Sequence, residues 1–352
     1  MAYILYIGDN DPGSTSAHRA KALERLGHDV TIKNPFSVFY SRKFEFFHFR
    51  TGYGYVQSAI NRWVNDIKHS IHNIDLIWVD SGELLGPQAV QMLKELDCPV
   101  IIYNIDDPTG NRDGKKFKSL LKALPYYDLI AVVREETKAE CEQLGAKNVI
   151  RVYRSYDEVA HMPFEDQSSI PAQYYSDMAF IGTWMRHEKR DLFLLHLIRQ
   201  GIKVKIWGGR WHKSPYWEQL RPHYAGDNLS GRNYVAAIQG AKVCLGLLSK
   251  GNRDLHTTRS LEIPYAGGLL FAERTSEHLA MYEEGVEAVF WSDTQDCAIK
   301  CLELLKDNER LNSIREAGRK RVIANQAGNE NICKSILEKA FALQQQQQLV
   351  AI

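Results

Sequence analysis

The sequence lacks the features of membrane-spanning and zinc-binding proteins. Its six cysteines are far apart and show none of the close paired spacings that bind zinc. No apolar run approaches the roughly 20 residues that cross a bilayer, and the start MAYILYIGDND has no basic segment before a long apolar one. We therefore expect a cytoplasmic protein with reduced, mostly buried thiols, for which any membrane contact would be peripheral. Cys297 and Cys301, at helical spacing, are interpreted as core residues rather than a redox pair.

The chain also lacks an excess of charge of either sign. Its 44 Lys and Arg residues nearly balance 43 Asp and Glu residues, so the formal net charge is +1. Bulk electrostatics therefore give no argument for nucleic acid or an anionic membrane as a partner.

Short apolar runs, in contrast, recur along the chain and alternate with longer amphipathic stretches. They are YILYIG (3–8), DVTI (29–32), LIWVD (76–80), VIIYN (100–104), LIAVV (129–133), VIRVY (149–153), MAFIGTW (178–184), VKIWGG (204–209), VCLGLL (243–248), GLLFAE (268–273) and AVFW (288–291). Apolar strands separated by helices indicate parallel sheets covered on both faces. The sequence thus predicts an α/β protein with two doubly wound, Rossmann-like sheets in series.

A length of 352 residues exceeds what one hydrophobic core usually supports, which favours two domains. The alternation breaks between about 155 and 178, in a stretch with two prolines, serines and acids. We predict a first domain over 1–160, a linker over 161–177, a second domain over 178–325, a C-terminal helix over 326–343 that could pack back on the first domain, and a disordered tail over 344–352. Because doubly wound sheets bind ligands beyond the carboxyl ends of their strands, the two rims are expected to line one cleft.

Three predicted strands run into polar or glycine-bearing loops of the kind that bind phosphate. In the first loop, YIGDNDPGSTSAHR (6–19), Gly8 and Gly13 permit close backbone approach before a helix that carries His18. A turn with a serine or threonine cap explains the same residues, so both interpretations stay open.

The second loop lies in FIGTWMRHEKRD (180–191). Gly182 and Thr183 follow the strand, and the cations Arg186 and Arg190 come within two helical turns. Clustered cations at a strand end suit a diphosphate, and a solvated helix face is the alternative.

The third loop, SKGNRDLHTT, leads from the strand VCLGLL into the helix RSLEIPYAG. Thr257 or Thr258 is expected to cap that helix, and its free amides over 258–260, together with the charge of Arg259, would form an anion site. Glu262 then lies in the first turn, near enough to a ligand to accept hydrogen bonds from sugar hydroxyls.

The run RSLEIPYAGGLLFAERTSEHLAMYEEGVEAVFW (259–291) resembles the C-terminal signature of two-domain GT-B glycosyltransferases, in the group-1 branch that includes spore-maturation-type enzymes. In that superfamily a Glu, seven residues and a second Glu bracket the donor loop. Glu262 matches the second Glu, which in the family binds the ribose of the donor nucleotide. The first position falls on Asp254, a departure from Glu, and by resemblance it faces the transferred sugar. The resemblance implies a retaining enzyme with a nucleotide diphosphate-sugar donor.

The resemblance to this family extends over about 100 to 330. The segment VDSGELLG (79–86) is also similar to the family. FIGTW followed by Arg190 resembles the opening of the donor domain. The resemblance leaves three cations as alternatives for the diphosphate and several positions as donor contacts. These are Arg186, Arg190 and Arg259 for the diphosphate, His256 for the sugar or diphosphate, and Gly208 with the Gly231–Arg232 segment beside the nucleobase.

No cluster of metal ligands stands out, so we expect neither a metal nor a cofactor beyond the donor substrate. The neighbours Asp106 and Asp107 are the one carboxylate pair that suggests a metal site or a base for the acceptor hydroxyl. Ordinary turn chemistry at Asp107-Pro108 explains them equally.

The segment FSVFYSRKFEFFHFRTGYGY (36–55) holds nine aromatic residues interleaved with basic ones, among them Arg42 and Lys43. Such a mixture suits sugar stacking, a membrane interface or single-stranded nucleic acid, and a packed excursion over the first domain is the alternative. Because the family binds acceptors with this half, we predict that Phe46 and Phe47 shape acceptor choice. Gly13, His18 and Asp106 are predicted on the same side.

The acceptor itself is expected to be a saccharide, a glycoconjugate or a protein. Two other functions fit the same fold: a nucleotide-sugar epimerase, and a catalytically silent sugar-binding or surface-assembly protein. Modification of nucleic acid is disfavoured by the near-neutral charge, although a local basic face escapes a bulk count.

Overall fold

The computed structural model describes residues 1–110 and 112–350, and the chain divides into two compact units. The first unit comprises Met1–Arg154 with Asn329–Ile352, and the second unit comprises Ser155–Gly328. The stretch that the sequence analysis assigns to a linker, 161–177, belongs to the second unit. There Tyr174 is buried and lies in a 3₁₀ turn that leads into the sheet.

The first unit is a six-stranded parallel sheet in the order β2-β1-β3-β4-β5-β6. Its strands are β1 (Tyr3–Ile7), β2 (Asp29–Lys33), β3 (Leu76–Asp80), β4 (Val100–Asn104), β5 (Leu129–Val132) and β6 (Val149–Arg151). Its helices are α1 (Thr15–Arg25), α2 (Arg42–Thr51), α3 (Gln57–Ser70), α4 (Pro87–Lys94), α5 (Lys118–Ala123), α6 (Glu135–Gln143) and α14 (Asn329–Val350).

Helices cover both faces of this sheet, which is why its central strands are apolar at every position. All residues of β3 and β4 are buried, including the polar residues that end them. One core layer packs against α3 and α4, and the other lies under α1 and α14. Cys333, Ile336, Leu337 and Ala340 supply the buried stripe of α14, at the spacing of one helix face.

The glutamine-rich end of the chain differs from the expectation of disorder over 344–352. Helix α14 continues to Val350. Glutamine is a good helix former, so nothing in QQQQQ ends a helix that already packs on the sheet. Residues 351 and 352 lie outside the described part of the chain.

The second unit is also a six-stranded parallel sheet, in the order β12-β11-β10-β7-β8-β9. Its strands are β7 (Ser176–Ile181), β8 (Val204–Trp207), β9 (Tyr224–Gly226), β10 (Ala241–Gly246), β11 (Leu270–Glu273) and β12 (Val289–Trp291). Its helices are α7 (Arg190–Arg199), α8 (Trp217–Leu220), α9 (Gly231–Gly240), α10 (Arg259–Tyr265), α11 (Ser276–Met281), α12 (Thr294–Leu304) and α13 (Asn308–Ala324). The predicted fold class, two doubly wound Rossmann-like sheets, is confirmed. Among the strands of residues 1–110 and 112–350, only β9, a three-residue edge strand, has no counterpart in the sequence analysis.

The strand order of the second unit determines where a ligand site can form. From β7 the chain moves outward to β8 and β9, and from β10 it moves the other way to β11 and β12. Since β7 and β10 are neighbours, their loops diverge at the carboxyl end of the sheet and leave a crevice there.

All six cysteines are buried and outside any disulfide, as expected, and Cys297 and Cys301 both lie in the core of the second unit. Over the described ranges, no helix combines the length and apolarity needed to cross a membrane.

Candidate active site

The crevice between β7 and β10 brings two of the three predicted loops together. Arg190, the first residue of α7, donates from Nη1 to the Thr183 carbonyl oxygen (3.0 Å) and from Nη2 to the Leu248 carbonyl oxygen (3.4 Å). The Glu188 carboxylate accepts hydrogen bonds from residues 249–251, with contacts of 3.0 to 3.4 Å. The loops after the two strands therefore form one hydrogen-bonded surface, in which Arg190 is half-buried.

Two predicted glycines contact each other through their backbones at this edge. Gly208, just after β8, has φ +134°, and a Cβ added to it would lie 2.3 Å from the Gly182 carbonyl oxygen. That oxygen also accepts a hydrogen bond from Nε1 of buried Trp211 (2.9 Å). Gly208 therefore requires glycine for close approach of the chain, whereas a Cβ added to Gly182 would meet the Phe180 ring at 2.8 Å.

The start of α10 leaves fewer free amides than the sequence suggests. The Thr257 amide donates to Ser260 Oγ (3.0 Å), and the Ser260 amide donates to the Thr257 carbonyl oxygen (3.0 Å). Thr258 precedes the helix as predicted, but its hydroxyl caps nothing and its backbone is already helical. Within the described chain, the amides of Thr258 and Arg259 are the ones left without a backbone partner at this turn. The predicted anion site over 258–260 is thereby narrowed to two amides.

Buried His278 contacts this turn from the interior of the second unit. His278 Nδ1 lies 2.6 Å from the Glu273 carbonyl oxygen, so Nδ1 donates and Nε2 is left to accept from Ser260 Oγ (2.8 Å). Burial lowers the pKa of His278 to about 4, which keeps the ring neutral at pH 7. The neutral ring stacks on Phe290, with centroids 5.4 Å apart.

Glu262 is buried in the first turn of α10 and has partners on both carboxylate oxygens. Tyr234 donates its hydroxyl to Oε2 (2.6 Å), and His161 Nε2 lies 3.5 Å from Oε1. His161 Nδ1 accepts from the Asp157 amide (2.9 Å), which leaves the proton on Nε2, facing the carboxylate. Burial, reinforced by the charge of Glu262, raises the pKa of Tyr234 well above its usual value, so the phenol remains a donor.

Asp254 and His256 are both buried in the loop that precedes α10. The Asp254 amide donates to the Ser249 carbonyl oxygen (3.4 Å), which closes the turn after the short 3₁₀ helix Lys250–Asn252. His256 Nδ1 forms a close contact with the carboxylate of Glu277 in α11. His256, predicted to contact the sugar or diphosphate, is thus tied to an acidic partner that the sequence analysis did not identify.

The remaining predicted cations differ in how firmly they are held. Arg186 is exposed in the β7–α7 loop. Arg259 is half-buried, and no hydrogen-bond partner of its buried Nε occurs among the residues described. The charge of Arg259 acts on Tyr234, whose pKa it lowers against the larger effect of burial. Arg259 precedes Glu262 by three positions in α10.

The predicted nucleobase segment lies at the start of α9. Gly231 is exposed and has φ +54°, with no atom within 4 Å of an added Cβ. Arg232 donates to the Met162 carbonyl oxygen, and its guanidinium lies 3.7 Å from the centroid of the Phe164 ring. Arg232 is therefore engaged with the segment that leads into the second sheet.

In the first unit the two neighbouring acids have separate partners. Asp107 is buried and accepts from Thr137 Oγ1 (3.1 Å). Asp106 pairs with Lys116 Nζ (3.0 Å). Burial opposes the ionisation of Asp106, but Lys116, together with Arg154 and Arg134, lowers its pKa below the usual value. Asp106 thus binds Lys116 in the β4–α5 loop, whereas Asp107 binds Thr137 in α6. Over the described residues, no group of three or more His, Cys, Asp or Glu side chains converges as a metal site would require.

The other positions assigned to the acceptor side lie near the ends of the first unit's elements. Gly13 is exposed and donates its amide to Asp11 Oδ1 (2.9 Å). His18 is half-buried in α1 and donates its amide to the Ser14 carbonyl oxygen as the helix begins. Neither contact in itself indicates a ligand.

The aromatic segment 36–55 is partly packed and partly exposed. Phe46 and Phe47, each 58% exposed, lie on the outer side of α2. The side chains of Arg42 and Lys43 lie outside the described part of the structure.

Three acids and aromatics of the second-unit site were missed by sequence reasoning. Tyr234 and Glu277 bind the predicted Glu262 and His256, and Glu188 binds the predicted loop at 249–251. The three residues come from different loops and helices. Tyr234 is 28 positions from Glu262, so no local spacing relates the two.

The first sheet also holds a buried polar cluster that was missed. Arg19 forms a bidentate pair with Asp80 (2.7 and 2.8 Å), and Tyr6 donates its hydroxyl toward Asp80 Oδ2 (2.7 Å). In the sequence, the one feature that could have indicated this cluster is the aspartate, Asp80, that ends the apolar strand LIWVD.

Comparison with known proteins gives a family match and many structural matches. Residues 186–337 match the family described as glycosyl transferase-like. HepE from Anabaena, solved with UDP and glucose, is 12% identical with a TM-score of 0.66, over 97% of this chain and 100% of that chain. Sucrose-phosphate synthase from Thermosynechococcus elongatus is 13% identical with a TM-score of 0.67, over all of both chains. A putative UDP-N-acetylglucosamine 2-epimerase from Listeria monocytogenes is 11% identical with a TM-score of 0.60, over 96% and 95%. The chain matches no curated protein by sequence.

Proposed function

We propose that this chain, a glycosyltransferase of the GT-B fold by its family match and its architecture, transfers a sugar from a nucleotide diphosphate-sugar to an acceptor hydroxyl. The family match over residues 186–337 includes the run 259–291, in which the sequence resembles glycosyltransferases. One observation carries the proposal about the donor: a buried carboxylate, Glu262, lies in the first turn of the helix after β10, three positions after Arg259.

Glu262 is the residue that would bind the ribose. A carboxylate accepts hydrogen bonds from both hydroxyls of a ribose, and its four lone pairs leave room beyond the bond from Tyr234. Tyr234 and His161 hold the carboxylate from the protein side, so its orientation is set before the donor arrives.

The diphosphate would lie between α7 and the start of α10. Arg190 and Arg259 supply charge there, Arg186 lies exposed in the β7–α7 loop, and the amides of Thr258 and Arg259 supply donors. As the bond from sugar to diphosphate breaks, negative charge develops on the leaving group, and cations fixed in advance lower the barrier. We propose that these groups take the place of a metal ion.

Asp254 is proposed to face the transferred sugar, as the resemblance implies. Its shorter side chain reaches less far than the Glu usual in the family, so contact would need the sugar to lie closer to the β10–α10 loop. Retention of anomeric configuration is likewise a proposal from the resemblance, and nuclear magnetic resonance of the first product formed would test it. Acceptor binding is proposed for the first unit, where Asp106, Gly13 and His18 lie.

A thermal-shift screen tests the donor proposal. The wild-type protein, Glu262→Gln and the control Glu284→Gln, whose carboxylate pairs with Arg274, are heated with UDP, GDP, dTDP, CDP or ADP in the presence of a chelator. A diphosphate at 100 times its dissociation constant adds about 2.7 kcal/mol to the free energy of unfolding. We expect one diphosphate to stabilise the wild type and the control, and Glu262→Gln to lose most of that gain. Equal stabilisation of all three would exclude Glu262 from the donor site.

Product analysis separates transfer from the alternative of epimerisation, which one structural neighbour makes worth testing. A transferase releases the nucleotide diphosphate in proportion to glycosylated acceptor. An epimerase converts the donor with no acceptor present, and a silent binding protein does neither.

A further inference from the structure

Helix α2 is a well-defined element of the first unit that turns aromatic side chains outward. Ser41 caps its start by accepting a hydrogen bond from the Phe44 amide (3.4 Å), and Gly52 ends it in the left-handed conformation. Both ends are thus specified by the sequence, and the orientation of the helix follows from what it buries.

The buried side of α2 is marked by His48. Its ring is enclosed by Phe39, Phe44 and Phe47, whose centroids lie 5.9, 4.8 and 5.3 Å away. The adjacent Phe49 packs against the core of the first unit. These contacts fix the helix against the unit by one side.

Three phenylalanines of α2 are more than half exposed, and they include Phe44 and Phe47, which lie beside His48. Phe44, Phe46 and Phe47 are 53%, 58% and 58% exposed, and exposed Arg50 lies over the Phe46 ring at 4.7 Å. At 100° per residue, positions 44, 46, 47 and 50 occupy one continuous half of the helix. A contiguous exposed patch of large apolar side chains on a monomer marks an interaction surface.

Tyrosines and further cations surround this patch. Tyr40, fully exposed, precedes the helix, and Tyr55, 76% exposed, follows it. The exposed Lys115 and Lys118 lie against Gly52 at the end of the helix, where an added Cβ would approach both residues within 3 Å. Phenylalanines flanked by tyrosines and by cations form the pattern of a helix that lies in the plane of a membrane interface.

We propose that α2 and its flanks dock the protein on an anionic lipid surface. Phe44, Phe46 and Phe47 enter the boundary between headgroups and acyl chains, and Tyr40 and Tyr55 remain at headgroup level. Arg50, Lys115 and Lys118 attract the anionic headgroups. The cations favour this occupant over an apolar protein surface, against which they would lose their water without gaining a counter-charge. The inference does not rest on the identity of the donor or the acceptor.

Vesicle flotation tests the proposal with the full-length protein. Vesicles of phosphatidylcholine alone are compared with vesicles of phosphatidylcholine and phosphatidylglycerol in equal amounts. We expect binding to the anionic vesicles that weakens as salt is raised. Phe46→Ser and Phe47→Ser should each lower the partition coefficient on the order of tenfold, since each removes a large apolar side chain from the interface. Lys115→Gln with Lys118→Gln should lower it for anionic vesicles alone.

Matched controls come from exposed side chains elsewhere. Leu279→Ser and Val286→Ser remove exposed apolar groups of the second unit, and Lys320→Gln with Lys339→Gln removes two exposed charges. These variants should bind vesicles as the wild type does. The melting temperature of every variant is measured alongside, so that a loss of vesicle binding is distinguished from a loss of folding.

Several results would overturn the proposal. Equal binding to both kinds of vesicle, no binding to either, or Phe variants that bind as the wild type would each exclude docking by α2 on an anionic surface. If Phe46→Ser keeps vesicle binding but lowers sugar transfer to a soluble acceptor, the exposed phenylalanines of α2 form an acceptor surface instead. Loss of a dimer in the same variant, by light scattering, would identify a contact with a second copy.

Discussion

Replacing Tyr234 with Phe tests how the proposed ribose carboxylate is held. The substitution keeps the ring, which contacts His161 edge-on with centroids 5.7 Å apart, and removes only the hydroxyl that donates to Glu262 Oε2. Both residues are buried, so water cannot readily replace the lost donor. The carboxylate would retain His161, at 3.5 Å, as its neighbour on the other oxygen.

The free-energy cost of losing the Tyr234 hydroxyl follows from the charge of Glu262, which accepts its hydrogen bond. A hydrogen bond to a charged group contributes about 1.5 to 3 kcal/mol, against about 1 kcal/mol for a neutral pair. For a domain of the size of the second unit, about 2 kcal/mol corresponds to a loss of roughly 4 to 8 °C in melting temperature. In the Glu262→Gln background the same Tyr234→Phe change should cost only about 1 kcal/mol, because the acceptor is then neutral.

The assay is a double-mutant cycle in thermal or urea unfolding, repeated with the diphosphate that the screen selects. We also expect Tyr234→Phe to weaken binding of that diphosphate about tenfold, because the carboxylate is no longer held in one orientation. An equal cost of Tyr234→Phe in both backgrounds would refute the argument, since it would show that the hydroxyl acts independently of the Glu262 charge. Unchanged affinity for the diphosphate would refute the positioning role alone.

Two further predictions concern the backbone and the buried histidine of the same unit. Gly208→Ala should lower the free energy of unfolding by about 3 kcal/mol or more, since its φ of +134° excludes a side chain and Cβ would meet the Gly182 carbonyl. The control Gly231→Ala, in open space, should lower it by about 1 kcal/mol. Equal losses for the two variants in urea unfolding would contradict the close approach at Gly208. His278 has a folded-state pKa of about 4 against 6.5 when unfolded, so the unfolded chain takes up the proton first as pH falls. The contribution of His278 to the free energy of unfolding should thus be complete above pH 6.5 and fall by about 3 kcal/mol toward pH 4. His278→Asn should lack that part of the pH dependence. If the free energy of unfolding of this variant changes with pH as in the wild type, other groups cause the dependence.

The elements that the sequence predicts well are those whose signals are local. Buried parallel strands need apolar residues at every position, so runs such as 76–80 and 100–104 could be placed to the residue. A glycine with positive φ ends α1 at the point expected from Gly27. The edge strand β9 was missed because three half-buried residues carry no such pattern.

The candidate site was predicted in part for the same reason. Glu262 and Arg190 could be proposed because each lies in the first turn of the helix that follows a predicted strand. The partners of the site could not, since Tyr234, Glu188 and Glu277 reach it from α9, the β7–α7 loop and α11. The cap expected from the hydroxyl of Thr258 is absent because Ser260 and His278 already satisfy that turn from the interior.

The sequence by itself determined the α/β class, the two sheets and the strand ends at which polar loops begin, because periodicity and apolar runs are properties of neighbouring residues. Only the tertiary structure decided which loops meet, since the strand order places β7 beside β10 although some sixty residues separate them in the chain. It also decided which polar groups remain available. Hydrogen bonds across the fold occupy His256 and one oxygen of Glu262. That outcome depends on distances between remote residues, which no spacing along the chain encodes.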